Sequence, residues 1–340
     1  MIVEHLIADV FGSHLGKYSE RLKVTKGKET LAQAPLLHLR SVTINSRGVS
    51  ISADALEACC ERGIPIFFLD SIGENYASIY AAGLTGTVLT RREQLLAYHD
   101  GRSRDFVLAI AEAKIHNQTA NLKYLAKTRS ESNPALHEEL LLCAGEVLDM
   151  TENLRRLTGE TAEDIRDYVM GAEGNASRRY WNAAGKVIPE QYGWTGRIGR
   201  GATDPINSLL NYGYGILYGQ VEQAILLAGL DPYAGFLHAD RPGKPSLVLD
   251  LIEEFRQVAV DRLVFGLATR NYKVQQNEQG LLIEETRRNF AEKVLEHLSA
   301  EMRYEGKRFP LRFIIQNQAR NLAAFLRKNR ETYTPFKATY

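Results

Sequence analysis

The order of hydrophobic patterns predicts an α+β chain, a small N-terminal β-rich domain followed by a larger all-α helical domain. Alternating apolar and polar positions fill about the first 80 residues, and helix-period apolar stripes dominate from about residue 91. Between them Gly83-Leu84-Thr85-Gly86 interrupts both patterns. The expected boundaries are therefore 1–86 and 91–340, with a linker over 84–91.

Taken in order, Ile2 to Val10 mixes apolar and polar positions as a strand does. Arg21-Leu22-Lys23-Val24-Thr25 alternates, as does Val42-Thr43-Ile44-Asn45 running into Val49-Ser50-Ile51. Gly12, Gly16, Gly27 and Gly48 stand where turns are needed. A short helix follows, capped by Ser52, with Leu56, Cys59 and Cys60 at helical spacing and Gly63 at its end. Ile64-Pro65-Ile66-Phe67-Phe68-Leu69 is a continuous apolar run closed by Asp70, the signature of a buried strand. Tyr76 to Tyr80 is one more strand. Helical stripes then cover 91–128, 134–157, 161–171, 203–229, 246–271 and 284–328.

The chain has 340 residues, 44% apolar and 24% charged, enough to bury a real core. No run approaches the roughly 18 apolar residues that span a bilayer, and the first residues, Met1-Ile2-Val3-Glu4-His5, lack the basic start of a secretory signal. The three cysteines, Cys59, Cys60 and Cys143, form no C-x-x-C pair, which argues against a disulfide framework and a zinc–thiolate site. A reducing cytoplasm is the expected compartment. Net charge is only +1, but its distribution is bipolar. Residues 301–340 hold nine Lys/Arg against three acids, whereas 131–173 hold three Arg against eleven acids. A basic tail of that kind can hold phosphates, although a solvated helix face has the same pattern.

Three segments combine acids, a histidine and arginines. In Gly171-Ala172-Glu173-Gly174-Asn175, a helix ending among the glycines would put Glu173 at a break, with Asn175 capping the next helix. Arg178 and Arg179 follow, suited to phosphate contacts. Gly235-Phe236-Leu237-His238 places His238 at the edge of a loop stiffened by Pro242 and Pro245, where a neutral imidazole could bind a metal. Ser246-Leu247-Val248-Leu249-Asp250-Leu251-Ile252-Glu253-Glu254-Phe255-Arg256 reads as a helix capped by Ser246, with Asp250 and Glu253 on one face and Glu254 close by. Clustered acids there call for a cation or an arginine, and an Asp250–Arg256 or Glu–Arg bridge is the structural alternative. Read singly, Glu173 and His238 are each more often structural than chemical. Read together, carboxylate, imidazole and carboxylate without a thiolate suit Mg²⁺ or Mn²⁺ better than zinc.

The order E-G-x-x-S-R-x-Y-W, G-F-L-H and D-L-x-E-x-F-R resembles the CRISPR-associated adaptation integrases, endonucleases that insert new spacers into CRISPR arrays. Glu173 and His238 are 65 residues apart, and His238 and Glu253 are 15 apart. The resemblance extends over nearly the whole chain, to Gln316-x-x-x-Arg320 and Tyr333-x-Pro335-Phe336. It implies metal ligands at Glu173, His238 and Glu253, with Asp250 as an additional catalytic acid, Arg178 as the motif arginine, and Tyr180 and Trp181 as its aromatic pair. It further implies transesterification, in which a 3′-hydroxyl of a short prespacer duplex attacks a phosphodiester at each end of the CRISPR repeat. The β-rich domain would form a homodimer, and a dimer of a small adaptation partner would bridge two such dimers. Many relatives carry proline after the motif glutamate. Here Glu254 stands there, which is expected to add negative charge near the site without removing a ligand.

DNA contacts are expected at Arg178, Arg179, Arg320, Arg327 and Lys328. The remaining histidines have no recognisable acidic partners in the sequence and are read as structural or surface residues. Two other readings compete: a metal-dependent nuclease acting on branched DNA in repair, and a non-catalytic dimeric DNA-binding scaffold whose acids are structural. The scaffold reading predicts no metal requirement.

Overall fold

A computed structural model of the chain describes residues 3–70, 72–73, 75–80 and 88–339. Residues 84–87 of the expected linker lie outside the described residues. The β-rich start comprises β1 (His5–Ala8), β2 (His14–Tyr18), β3 (Arg21–Lys26), β4 (Glu29–Pro35), β5 (Ser41–Ile44), β6 (Ser50–Ile51), helix α1 (Ala53–Glu61), β7 (Ile66–Leu69) and β8 (Asn75–Ile79). The helical remainder comprises α2 (Val88–Ala97), α3 (Gly101–Lys127), α4 (Pro134–Arg155), α5 (Ala162–Gly185), α6 (Pro205–Leu227), α7 (Ser246–Leu251), α8 (Arg262–Thr269), α9 (Glu284–Ser299) and α10 (Leu311–Leu326). Between α7 and α8 lie a 3-10 turn, Ile252–Glu254, and a π-helical turn, Gln257–Asp261. A hairpin of β9 (Glu301–Tyr304) and β10 (Lys307–Pro310) separates α9 from α10. No helix among the described residues is long and apolar enough to cross a membrane.

The chain divides into two compact units. One joins Met1–Leu84 to Gly201–Gly219 and Val274–Glu296, and the other joins Thr85–Arg200, Gln220–Lys273 and His297–Tyr340. In the first unit, two four-stranded sheets form with orders β1-β5-β7-β8 and β4-β3-β2-β6. β1, β5 and β7 run parallel, and β8 closes that sheet antiparallel to β7. The alternation seen in the sequence sets the register: Leu15 pairs with Val24, and Leu22 with Ala34. These side chains pack with Leu6, Ile44, Cys59 and Ile66 in one core. Full burial of each Leu or Val stabilises by about 1.5–3 kcal/mol before entropy is counted. Ser52 caps α1 as expected, its hydroxyl accepting from the Ala55 amide at 3.3 Å.

The helical segments of this unit reach the sheets through close contacts. Asn45 donates to the buried Tyr212 hydroxyl at 2.7 Å, and Arg288 on α9 pairs with Asp9. Gly215 on α6 lies so near the Gly73 carbonyl that a Cβ there would stand 1.4 Å from its oxygen. Only glycine allows that approach.

In the second unit, α3, α4 and α5 pack against one another around a stripe that includes Phe106, Ile110, Leu122, Val147, Val169 and Tyr180. Asp100 caps α3 through the Arg102 amide, and Asn133 caps α4 with Pro134 in its first turn. A Thr161–Asp164 capping box opens α5.

Three local expectations change. α5 runs unbroken through Gly171 and Gly174, so Glu173 lies within a helix and Asn175 caps nothing. Each interior glycine costs about 1 kcal/mol relative to alanine, and the buried face of α5 outweighs this. Ser246 is not the cap of α7, because Pro245 holds that position. The stripe over 284–328 is two helices with the β9–β10 hairpin between them.

Candidate active site

Glu173 belongs to the buried face of α5, in the series Ile165, Val169, Glu173, Ala176 and Tyr180 at spacings of three and four. A carboxylate on such a face must find partners in the neighbouring helices. Glu173 Oε2 accepts from Lys114 Nζ of α3 at 3.0 Å. Its other oxygen, Oε1, is buried without a hydrogen bond.

Glu253, in the 3-10 turn after α7, faces the same lysine. Lys114 Nζ lies 3.0 Å from Glu253 Oε2, and Arg256 Nε lies 3.0 Å from Glu253 Oε1. The Glu–Arg bridge weighed from the sequence is therefore Glu253–Arg256, not Asp250–Arg256. Burial would raise the Glu253 carboxyl, but Arg256 and Lys114 outweigh it and hold the group down to about 2. At Glu173, burial prevails over the pull of Lys114, and the neighbouring Glu253 adds to the upward shift. For Lys114, the two acids outweigh burial and raise the ammonium above its ordinary value.

His238 is aimed by Asp250. The Asp250 carboxylate is fully buried and accepts from three consecutive backbone amides, Phe236 at 2.6 Å, Leu237 at 3.1 Å and His238 at 2.9 Å. Its Oδ1 also lies 2.7 Å from His238 Nδ1. When Nδ1 donates to this carboxylate, the ring's lone pair is at Nε2. The loop is fixed further by the Gly235 amide, which donates to Ser246 Oγ at 2.9 Å, while Ser246 donates to Asp240 at 2.9 Å. A Cβ on Gly235 would stand 2.6 Å from the Ser246 backbone, so this contact also requires glycine. The His238 ring lies within electrostatic reach of both Glu173 and Glu253.

The structure thus brings Glu173 and Glu253 to the same lysine, sets His238 within electrostatic reach of both, and places Asp250 behind the histidine. Among the described residues, no group of three or more His, Cys, Asp or Glu side chains is arranged so as to hold a metal ion. The donor chemistry nevertheless fits a divalent ion: Glu173 Oε1 is buried without a hydrogen bond, Glu253 offers a second carboxylate, and His238 offers an imidazole within electrostatic reach of both acids. Such a set could bind Mg²⁺ or Mn²⁺, polarise a phosphoryl oxygen and activate a hydroxyl.

Glu254 does not add charge beside these residues. Its carboxylate is fully buried and accepts from the Phe336 amide at 2.7 Å, Gln318 Nε2 at 3.0 Å and the Tyr333 hydroxyl. Asn117 extends the clasp, donating to the Glu254 and Phe336 carbonyls and accepting from the Ala338 amide at 2.8 Å. Burial pushes the Glu254 carboxyl up to about 7 despite these donors. Glu254 therefore straps the C-terminal segment to the back of the site.

The basic residues fall elsewhere. Arg178 and Arg179 are exposed on α5, five and six residues beyond Glu173 and so turned off its face, and Arg179 pairs with Glu146. Arg320 and Lys328 are exposed, while Arg327 donates to Thr90 at 2.9 Å. Tyr180 is wholly buried, accepting from Asn121 at 2.7 Å and donating to Asp261 at 2.8 Å. Trp181 packs edge-on against it at 4.9 Å. The aromatic pair braces α5 against α3 and the π-helical turn.

Lys114 was not singled out from the sequence. A signal existed for Lys114: with Gln118 and Asn121 it forms a polar line at helical spacing along α3.

The family profile described as CRISPR associated protein Cas1 matches residues 6–296. The chain is 38% identical over 336 residues to CRISPR-associated endonuclease Cas1 1 of Archaeoglobus fulgidus, covering 96% of this chain and 97% of that protein. Its fold is similar to that of a casposase bound to integration product, with a TM-score of 0.82 at 23% identity over 99% of this chain and 95% of the other. It is also similar to a chain of a Cas6-RT-Cas1–Cas2 complex, with a TM-score of 0.78 at 19% identity over 99% of this chain and 36% of that one. The chain belongs to the CRISPR-associated Cas1 family.

Proposed function

We propose that this Cas1-family chain is a metal-dependent DNA integrase and endonuclease that joins the 3′-hydroxyl ends of short duplex DNA to phosphodiesters of a CRISPR repeat. The observation that supports this reading is the meeting of Glu173 and Glu253 at Lys114, with an Asp250-aimed His238 within electrostatic reach of both acids. The A. fulgidus relative is called an endonuclease, which agrees with phosphodiester chemistry.

Glu173, His238 and Glu253 would hold Mg²⁺ or Mn²⁺, which when bound offsets charge on the phosphoryl oxygens and the leaving oxygen. Asp250 keeps Nε2 of His238 directed forward, and Arg256 holds Glu253 ionised. In the transfer, the attacking 3′-oxygen forms a bond to phosphorus while the repeat's P–O3′ bond breaks. One phosphodiester replaces another, so no ATP is consumed. Arg178, Arg179, Arg320, Arg327 and Lys328 would contact DNA phosphates.

The working assembly would be a homodimer formed through the β-rich region, whose exposed Phe11 and Leu37 offer apolar surface. A small CRISPR adaptation partner protein would bridge two dimers. The solved Cas6-RT-Cas1–Cas2 complex supports only the coarser expectation of a protein partner.

The test is substrate choice. Purified protein with its partner should join a 3′-hydroxyl duplex into repeat DNA. Failure to join, with efficient cutting of branched DNA, would replace the integrase reading with that of a repair nuclease.

A further inference from the structure

Lys114 occupies the space between the two acids. Its ammonium is 3.0 Å from Glu173 Oε2 and 3.0 Å from Glu253 Oε2, and its side chain is only 15% exposed. Arg256 supplies a second cation to Glu253. Two buried carboxylates therefore already face two cations, and the acid pair is electrically balanced without any added ion. A divalent ion entering beside an unmoved Lys114 would leave two surplus positive charges in a poorly solvated place. Like charges about 4 Å apart repel strongly there, since water screens them little.

We propose that Lys114 is the resident counter-cation of the acid pair, and that a divalent metal must displace its ammonium to reach Glu173 and Glu253. This rests on the reading of the two acids as metal ligands. The lysine keeps the carboxylates from repelling one another in the metal-free protein, and for the same reason it opposes metal binding. A purely structural lysine would act in the opposite direction: its loss would loosen the acids and weaken any metal bound there.

The experiment titrates Mn²⁺ alone, without DNA, into the full-length wild type, Lys114→Met and Glu253→Gln, followed by calorimetry and thermal melting. Lys114→Met should bind Mn²⁺ about tenfold or more tightly than the wild type, because one repelling charge is gone. Its melting temperature should also rise more on adding Mn²⁺, and Glu253→Gln should lose binding. Equal or weaker affinity in Lys114→Met overturns the displacement proposal alone. No binding by either the wild type or Lys114→Met overturns the metal-ligand reading beneath it. Should Lys114→Met fail to fold, a crystal structure of the wild type with Mn²⁺ decides. The Lys114 ammonium should then have left both carboxylates, and an ammonium still about 3 Å from both beside a bound ion refutes the proposal.

Discussion

Replacing Asp250 with asparagine should disable the site by unfastening His238 rather than by removing a ligand. The carboxylate accepts along two edges: Oδ2 takes the Phe236 and Leu237 amides, and Oδ1 takes the His238 amide and Nδ1. Asparagine keeps one acceptor edge and turns an NH₂ group toward the other, where donors already point. At least one buried backbone amide is then left facing a donor. Hydrogen bonds to a charged group contribute about 1.5–3 kcal/mol each, and leaving a buried donor unpaired costs about 1–3 kcal/mol. The expected loss is about 3–5 kcal/mol, a large part of the roughly 5–15 kcal/mol that stabilises a typical protein. This corresponds to a drop on the order of 10 °C in melting temperature. Thermal melting monitored by circular dichroism would measure it, and ¹⁵N NMR of the imidazole would follow the proton on His238. A melting temperature within about 2 °C of wild type, with the proton still on Nδ1, would refute the reasoning.

Three further outcomes follow from the fold. Gly215→Ala drives a Cβ into the Gly73 carbonyl, a backbone atom that cannot swing aside, and should cost at least about 3 kcal/mol in urea unfolding; a loss under about 1 kcal/mol would contradict the packing described. Tyr333→Phe removes the hydroxyl that donates to buried Glu254 and should cost about 1–3 kcal/mol. Limited proteolysis should then cut the C-terminal segment faster, and an unchanged cleavage rate would argue against the clasp. Burial holds the His297 imidazole below its ordinary value while its Nε2 donates to the Val258 carbonyl. Below about pH 6.5 the unfolded chain takes up that proton more readily than the folded one. Stability from this group is therefore full above about pH 6.5 and falls as pH drops toward the folded value. His297→Gln should flatten the fall in urea midpoint between pH 7.5 and 5.5, and an unaltered slope would remove the assignment.

Much of the β-rich region was legible because strand alternation is local: Leu22 and Val24 face inward wherever the strand goes. The β9–β10 hairpin was obscured because apolar spacing in 284–328 continues across it, although Glu305 and Gly306 carry the positive φ of a tight turn. Gly171 and Gly174 pointed to a helix break, yet the buried face through Val169 and Tyr180 holds α5 straight on. At the site, residue types and spacing drew attention to Glu173, His238, Asp250 and Glu253. Spacing could not show that Asp250 spends its oxygens on the loop amides and His238, or that Glu254 turns toward Tyr333. Lys114 lies 59 positions before Glu173, and only the packing of α3 against α5 brings its ammonium to the acids.

The central claim is that Glu253 and its neighbours hold a divalent ion for phosphodiester transfer. The most direct measurement compares strand transfer into repeat DNA by wild type and Glu253→Ala, each with the partner protein, in Mg²⁺ or Mn²⁺ and in EDTA. The account predicts transfer by the wild type only with metal and a loss of about 100-fold or more in a folded Glu253→Ala. Equal transfer by the two proteins, or transfer undiminished in EDTA, would contradict it.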